Sequence, residues 1–390
     1  MRIGIVTQHP FPDSHDHRCA LIAESLAKEG HEVSVFTPRA TSSQYSGPDF
    51  CCEICSPEWV TPAVPYNPYW ARWLEAQARR KELHWLVCKE LRLAPSALQA
   101  ARRSGVRFCI DLTENYPAMV AAERAGQLLM PLWRATAAHL EKECARRADL
   151  VIVVTEANRG RLVELGVAPQ RMIVVSNTPV LQSSPVVNGE RRNRDGKIHF
   201  VFAGLLTKVR GLDRLLSALR QTDGAGERSH VHIIGKGPLF DPLRQLASRL
   251  ALDDAVTFHG WVPKQHLLAE LEQCDVGIIP HLVTEHTQTT VPNKLFDYMA
   301  SGLPVWTTAM VPCEEIVARV RCGWTCPDDT ASLAATLQLV LDTPAAERIA
   351  RGQRGRRAVE QLYNWGVDEA HLLRALQHHS IPSSAAQVEP

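Results

Sequence analysis

The chain has 390 residues, a formal net charge of +1, and 45% hydrophobic against 22% charged residues, a composition that suits two ordinary globular domains. Lysines and arginines are scattered in short runs such as Arg79-Arg80-Lys81 and Arg146-Arg147, which leaves no broad basic face for nucleic acid. No apolar run reaches the roughly 18 residues of a membrane span. The opening MRIGIVTQHPFP also lacks the apolar core and cleavage site of a secretion signal, so a cytoplasmic protein is expected.

In chain order, residues 3–7 read as a short apolar strand. The loop QHPFPDSHDH follows, then a helix in which Leu21, Ile22 and Leu26 keep the helical period up to Gly30. Glu32 to Phe36 alternates like a strand, completing a strand–helix–strand unit. Residues 47–69, with five prolines, are expected to form a long loop. The run YWARWLEAQARRK after it has two readings. One is a core-packing helix with a solvated basic end. The other is a peripheral contact with the inner leaflet of the membrane, with Tyr69, Trp70 and Trp73 at the interface and Arg79, Arg80 and Lys81 over anionic headgroups.

Further strands are expected at 108–111, 150–154 and 172–176, closing an N-terminal domain over 1–182. The polar stretch 183–197 reads as a linker. Alternation restarts with strands at 198–203, 231–234, 256–258 and 276–279, and helices near 212–219, 238–250 and 264–272. A second domain is expected over 198–350. C-terminal helices over 351–378 would pack back on the first domain, and a disordered tail would occupy 379–390. The fold class is therefore α/β, with two Rossmann-like, doubly wound parallel-sheet domains facing a central cleft. Ligands of such sheets bind beyond the carboxyl ends of the strands.

Eleven cysteines run from Cys19 to Cys326. Cys52 and Cys55 make one CxxC pair, but the CGWTC segment at 322–326 has a three-residue spacer, so no four-ligand zinc site is expected. Buried thiols in a reducing compartment account for them better.

The chemistry should lie in the loops after strands. In FAGLLTKVRGL, Gly204 permits close backbone approach, and Lys208 and Arg210 precede a helix N-terminus, a combination suited to an anion such as a diphosphate. Gly235 and Gly237 follow a strand in IIGKGP, without the GxGxxG or Walker spacing of dinucleotide or P-loop sites. Gly260 ends another strand. In TTVPNKLFDYMASGLPVW, Pro292 suits a first helical turn and Gly302 a helix stop. Thr290, Lys294 and Asp297 fall within about two turns of one another there.

This ordered set, FAGLLTKVRGL, VHIIGKGP, FHGWV, CDVGIIP and VPNKLFDYMASGLPV, resembles the retaining GT-B glycosyltransferases of family four. Within them it is similar to the subgroup of bacterial surface-polysaccharide assembly. HPFP, LAKEGHEVSVFTP, DLTENYP, ADLVIVVTE and VVSNTP extend the resemblance over the first half, where Arg18 matches a basic position of the family. The resemblance implies a nucleotide-sugar donor, a sugar or lipid-linked sugar acceptor, and no cofactor or metal. It implies Asp297 at the ribose, Lys208, Arg210 and Lys294 at the diphosphate, and Gly260, Trp261 and Val262 at the base. Gly204, Gly235, Gly237 and Thr290 would line the same wall. Asp111 or Glu114 would contact the donor sugar or acceptor. The chain departs from the pattern at Thr289, where the family has a glutamate, at Thr113, where many relatives have histidine, and at DSHDH, which replaces a glycine pair. A nucleotide-sugar epimerase of similar architecture and a non-catalytic two-lobed solute-binding protein are the alternatives.

Overall fold

The computed structural model describes residues 1–12, 17–57, 66–124, 126–181 and 195–379. Most of the expected linker, all but one residue of the expected tail and most of the DSHDH loop lie outside the described residues. The chain divides into two compact units, Met1–Ser176 with Val367–Pro390, and Asn177–Gly366.

The first unit carries β1 (Arg2–Val6), α1 (His17–Lys28), β2 (Glu32–Phe36), β3 (Gln44–Gly47), β4 (Phe50–Cys55), α2 (Pro68–Arg80), β5 (Trp85–Lys89) and α3 (Ala94–Ser104). It continues with β6 (Arg107–Leu112), α4 (Tyr116–Glu123), α5 (Met130–Arg147), β7 (Leu150–Val153), α6 (Glu156–Glu164) and β8 (Met172–Val174). The eight-stranded sheet runs β3-β4-β2-β1-β5-β6-β7-β8. Its pairs are parallel except β3–β4, an antiparallel hairpin at the edge. The expected loop at 47–69 is thus corrected at Phe50–Cys55, and its residues 58–65 lie outside the described ones. Phe50–Cys55 extends the sheet beside β2, with Cys52 and Ile54 facing inward. The central β5, buried at every position, lies next to β1 in register Ile3↔Trp85 and was not among the expected strands.

The YWARW run takes the core-packing reading. Asn67 caps α2 by accepting from the Tyr69 and Trp70 amides, and Trp70 is fully buried and stacked on Trp73 at 5.0 Å. Tyr69 remains exposed.

The second unit carries β9 (Ile198–Ala203), α7 (Leu212–Gln221), α8 (Ala225–Arg228), β10 (Ser229–Ile234), α9 (Phe240–Arg249), β11 (Val256–Gly260), α10 (Lys264–Glu272) and β12 (Val276–Ile279). Then come α11 (Asn293–Ala300), β13 (Val305–Thr308), α12 (Val311–Val320), β14 (Gly323–Cys326), α13 (Thr330–Asp342) and α14 (Ala345–Gln361), before α15 (Trp365–His378) returns to the first unit. Its six strands run β11-β10-β9-β12-β13-β14, all parallel. Apolar cores line both faces. Phe200, Phe202, Leu216 and Ile233 lie on one side, and Val201, Leu295, Phe296 and Met299 on the other. α14 stays in this unit, where the bare backbone of Gly352 approaches the Gly302 carbonyl so closely that a Cβ would sit 2.0 Å from it.

Each sheet reverses its winding once. In the first, β2 lies on one side of β1 and β5 on the other. In the second, β10 and β12 flank β9. Such switch points leave a crevice beyond the carboxyl ends of the two diverging strands.

Candidate active site

At the switch point of the second sheet, the chain leaves β9 through Gly204. Its φ of +149° favours glycine, and any Cβ there would come within 2.9 Å of Lys294 Nζ. The next two glycines make the loops fit together. A Cβ on Gly235 would meet the Gly204 carbonyl at 1.8 Å, and one on Gly237 the Leu206 carbonyl at 2.5 Å. The Gly235 amide donates to Gly260 O (2.7 Å) and the Leu206 amide to Lys236 O (2.9 Å). The glycines at 204, 235, 237 and 260 therefore build one backbone wall from the ends of β9, β10 and β11. Trp261 stands exposed at its edge with the Lys236 ammonium 5.5 Å from its ring, and Val262 packs partly into the core beneath.

Lys208 and Arg210 lie on a single 3-10 turn that ends at Gly211. Gly211 has φ +64°, and a Cβ there would strike Pro280 O at 2.0 Å. The Leu282 amide donates to Val209 O (2.8 Å), so the loop after β12 is stitched to the loop after β9. Asp328 anchors the same loop by accepting from the Val283 amide and from Arg214. Lys208 is exposed, and Arg210 and Lys294 are half-buried.

Lys294 sits in the first turn of α11. Its ammonium lies 4.7 Å from the Phe202 ring centroid and 3.5 Å from His281 Nε2. Burial pushes this amine well below the ordinary lysine range, Arg210 pushes it further, and Asp297 pulls it back. His281 is buried, and burial together with Lys294, Arg210 and His286 holds it well below the usual imidazole range. Its Nε2 faces the Lys294 amine. Asp297 is half-buried one turn further along α11. Thr289 and Thr290 both turn their hydroxyls onto the His286 carbonyl at 3.1 Å, so their protons are engaged in the preceding turn. Basic side chains beside a helix N-terminus suit an anion.

The first sheet is built differently. Asp111, at the end of β6, is fully buried. Arg18 grips both its oxygens, Nε to Oδ2 at 2.7 Å and Nη2 to Oδ1 at 2.9 Å, and also donates to the carbonyls of Val175 and Ser176. Asp111 as a substrate-contacting residue is corrected on that ground, because its carboxylate is spent on orienting a buried arginine. Glu114 is partly exposed just beyond it. The switch point itself, between β1 and β5, holds residues the sequence analysis missed. Glu90 adopts φ +70°, and its amide donates to Asp111 O (3.0 Å). Its carboxylate receives Lys89 Nζ at 2.9 Å and the Gln8 amide, with His9 Nε2 at 3.7 Å. Burial alone would raise the Glu90 carboxyl, but His9 and Lys89 outweigh it and hold it below the usual glutamate range. Gln8 Oε1 is buried without a protein partner. A strained backbone at the end of a central strand was the available signal, and it is not visible in residue types.

An arginine-lined depression beside β14, with Arg321, Arg351 and Arg354, lies elsewhere. Arg351 and Arg354 are already engaged with Glu347 and with backbone carbonyls. Among the described residues no group of three metal-ligating side chains converges.

The chain is similar to known proteins in family and in fold. The family described as glycosyl transferases group 1 matches residues 197–343, and the glycosyl transferase 4-like domain matches 16–178. A putative colanic acid biosynthesis glycosyltransferase of Salmonella typhimurium, WcaL, is 28% identical over 240 residues, 60% of this chain and 57% of that protein. The chain thus spans little more than half the length of this relative. Among solved structures, sucrose-phosphate synthase from Thermosynechococcus elongatus superposes with a TM-score of 0.77 at 17% identity, over 97% of this chain and 98% of that one. Anabaena HepE in complex with UDP gives 0.72 at 15% identity, over 97% and 100%. These likenesses establish the GT-B fold class.

Proposed function

The chain belongs to the group 1 glycosyl transferases, and from that premise we propose that it moves a sugar from a nucleotide-sugar donor to a hydroxyl of a glycan acceptor in surface-polysaccharide assembly. The observation that carries this reading is Lys294 against the glycine wall at the switch point of the second sheet, with Arg210 near enough to act on its charge and Lys208 on the same 3-10 turn as Arg210. The named relative is described as a putative colanic acid biosynthesis glycosyltransferase, and a solved structure of the same fold holds UDP, which support the same reading.

In this account the diphosphate lies between the 3-10 turn and the start of α11. Asp297 accepts hydrogen bonds from the ribose hydroxyls, and Gly260, Trp261 and Val262 face the base. The bond from the anomeric carbon to the diphosphate breaks and the acceptor oxygen bonds to that carbon on the same face, giving retention. The hydroxyl proton passes to the departing phosphate. The three cations stabilise the charge that develops there and do so without a divalent metal.

A thermal-shift screen with UDP-, GDP-, ADP- and dTDP-sugars tests the reading, since a bound donor raises the melting temperature by mass action. Stabilisation by one nucleotide class, followed by sugar transfer that survives a metal chelator, is the expected outcome. An epimerised donor formed without acceptor, or solute binding with no turnover of any sugar nucleotide, would replace it.

A further inference from the structure

The first half of α5 buries almost nothing. Its inward-facing residues begin at Ala137, whereas the segment leading into it and its first turn expose Leu128 (94%), Leu129 (55%), Leu132 (62%) and Trp133 (42%). Elsewhere among the described residues, exposed large apolar side chains occur singly or in pairs in sequence. Leaving such a cluster in water is unfavourable, and contiguous exposed apolar surface marks an interaction site.

The charges around it narrow the partner. From Arg124 to Leu140 the sequence holds Arg124, Arg134 and His139 and no carboxylate. Arg124 lies 4.9 Å from the Trp133 ring centroid, so cation and indole present together. A second copy meeting this surface about a two-fold axis would bring like patches, and so like charges, together. An anionic lipid surface instead pairs with the arginines and takes up the leucines, with the tryptophan at headgroup level.

We propose that Leu128, Leu129, Leu132 and Trp133, flanked by Arg124 and Arg134, form a docking surface for anionic membrane lipid. This replaces the Tyr69–Trp73 run as the membrane-facing element, because Trp70 is spent in the core. The contact is peripheral, since no helix among the described residues is long and apolar enough to cross a bilayer. It does not depend on the transfer reading.

Vesicle flotation of the full chain decides it, with pure phosphatidylcholine vesicles against mixed phosphatidylglycerol–phosphatidylcholine vesicles. The expected result is flotation with the mixed vesicles, weakened by high salt. Leu128→Ser/Trp133→Ser should lower it at least about tenfold, given the apolar area withdrawn. Arg124→Gln/Arg134→Gln should abolish the preference for anionic lipid. The melting temperature and the shift produced by UDP should be unchanged in both variants, because the altered side chains carry no core contact or donor role. A wild-type chain that fails to float, or variants that float equally well, would overturn the proposal. So would sedimentation showing that the same leucine and tryptophan changes dissolve a dimer while lipid binding persists. Absence of UDP binding with flotation intact would count against the transferase reading alone.

Discussion

In the first unit the charges at the carboxyl end of the sheet are spent on one another, Arg18 on Asp111 and Lys89 on Glu90. In the second unit Arg210 and Lys294 lie close together, with Asp297 as the nearby carboxylate of α11 and Lys208 on the turn that carries Arg210. The two sheets share a winding pattern, so topology alone does not set the electrostatics. One switch point is a preorganised hydrogen-bonding surface. The other is a cationic recess whose desolvated lysine is relieved when an anion arrives.

The strongest way to break this contrast is to cut the first unit's buried pair. Asp111→Ala leaves Arg18 buried without its partner and should cost about 3–5 kcal/mol of stability, read as a lower urea midpoint. A change below about 1 kcal/mol, the range of an exposed pair, would mean the pair is not desolvated. In the second unit, Asp297→Ala should weaken binding of both uridine and UDP, by about 1.5–3 kcal/mol for a lost hydrogen bond to a charged group. Calorimetry checks this, and equal affinities in the variant and wild type would remove Asp297 from the ribose. Gly235→Ala should cost about 1–3 kcal/mol through backbone strain and also open the wall, because its Cβ would meet Gly204 O at 1.8 Å. A melting temperature equal to wild type would show that the wall is looser than its geometry.

The smallest effect concerns pH. His232 is held down to about 4 by burial and then by His230, His199 and His259, among which its ring is hydrogen-bonded at 2.9 Å to both His199 and His259. The unfolded chain takes up that proton nearer 6.5, so between these values the unfolded state binds more protons. Stability should therefore fall as pH drops through that window. His232→Gln should flatten the profile there, and an unchanged slope would assign the acid sensitivity to other groups.

Much of this architecture was legible from local pattern. Runs such as IHFVFA and VHII announced β9 and β10, and Pro292 and Gly302 bracketed α11. Gly204 was singled out for close approach and Gly235 and Gly260 for following or ending strands, and the three proved to touch in space rather than in sequence. What escaped the sequence depends on distant partners. Lys89 and Glu90 hid β5 because its four apolar residues run straight into two charges that pair with each other in the fold. The Arg18–Asp111 pair joins residues 93 positions apart. Nothing in the residue types marks His281, whose Nε2 lies 3.5 Å from Lys294 Nζ. The expected C-terminal helices over 351–378 are parted at 362–364, where the Asn364 side chain donates back to the carbonyls of Val359 and Glu360.

The central claim is that the second unit's cations receive a nucleotide's diphosphate, and titration calorimetry of UDP against uridine tests it most directly. The wild-type chain should bind UDP at least about tenfold more tightly than uridine, the margin of one charge-assisted hydrogen bond. Lys294→Ala should erase most of that margin while leaving uridine affinity and the melting temperature in place. Equal affinity for UDP and uridine in the wild type, or a margin that survives Lys294→Ala and Arg210→Ala together, would contradict the account.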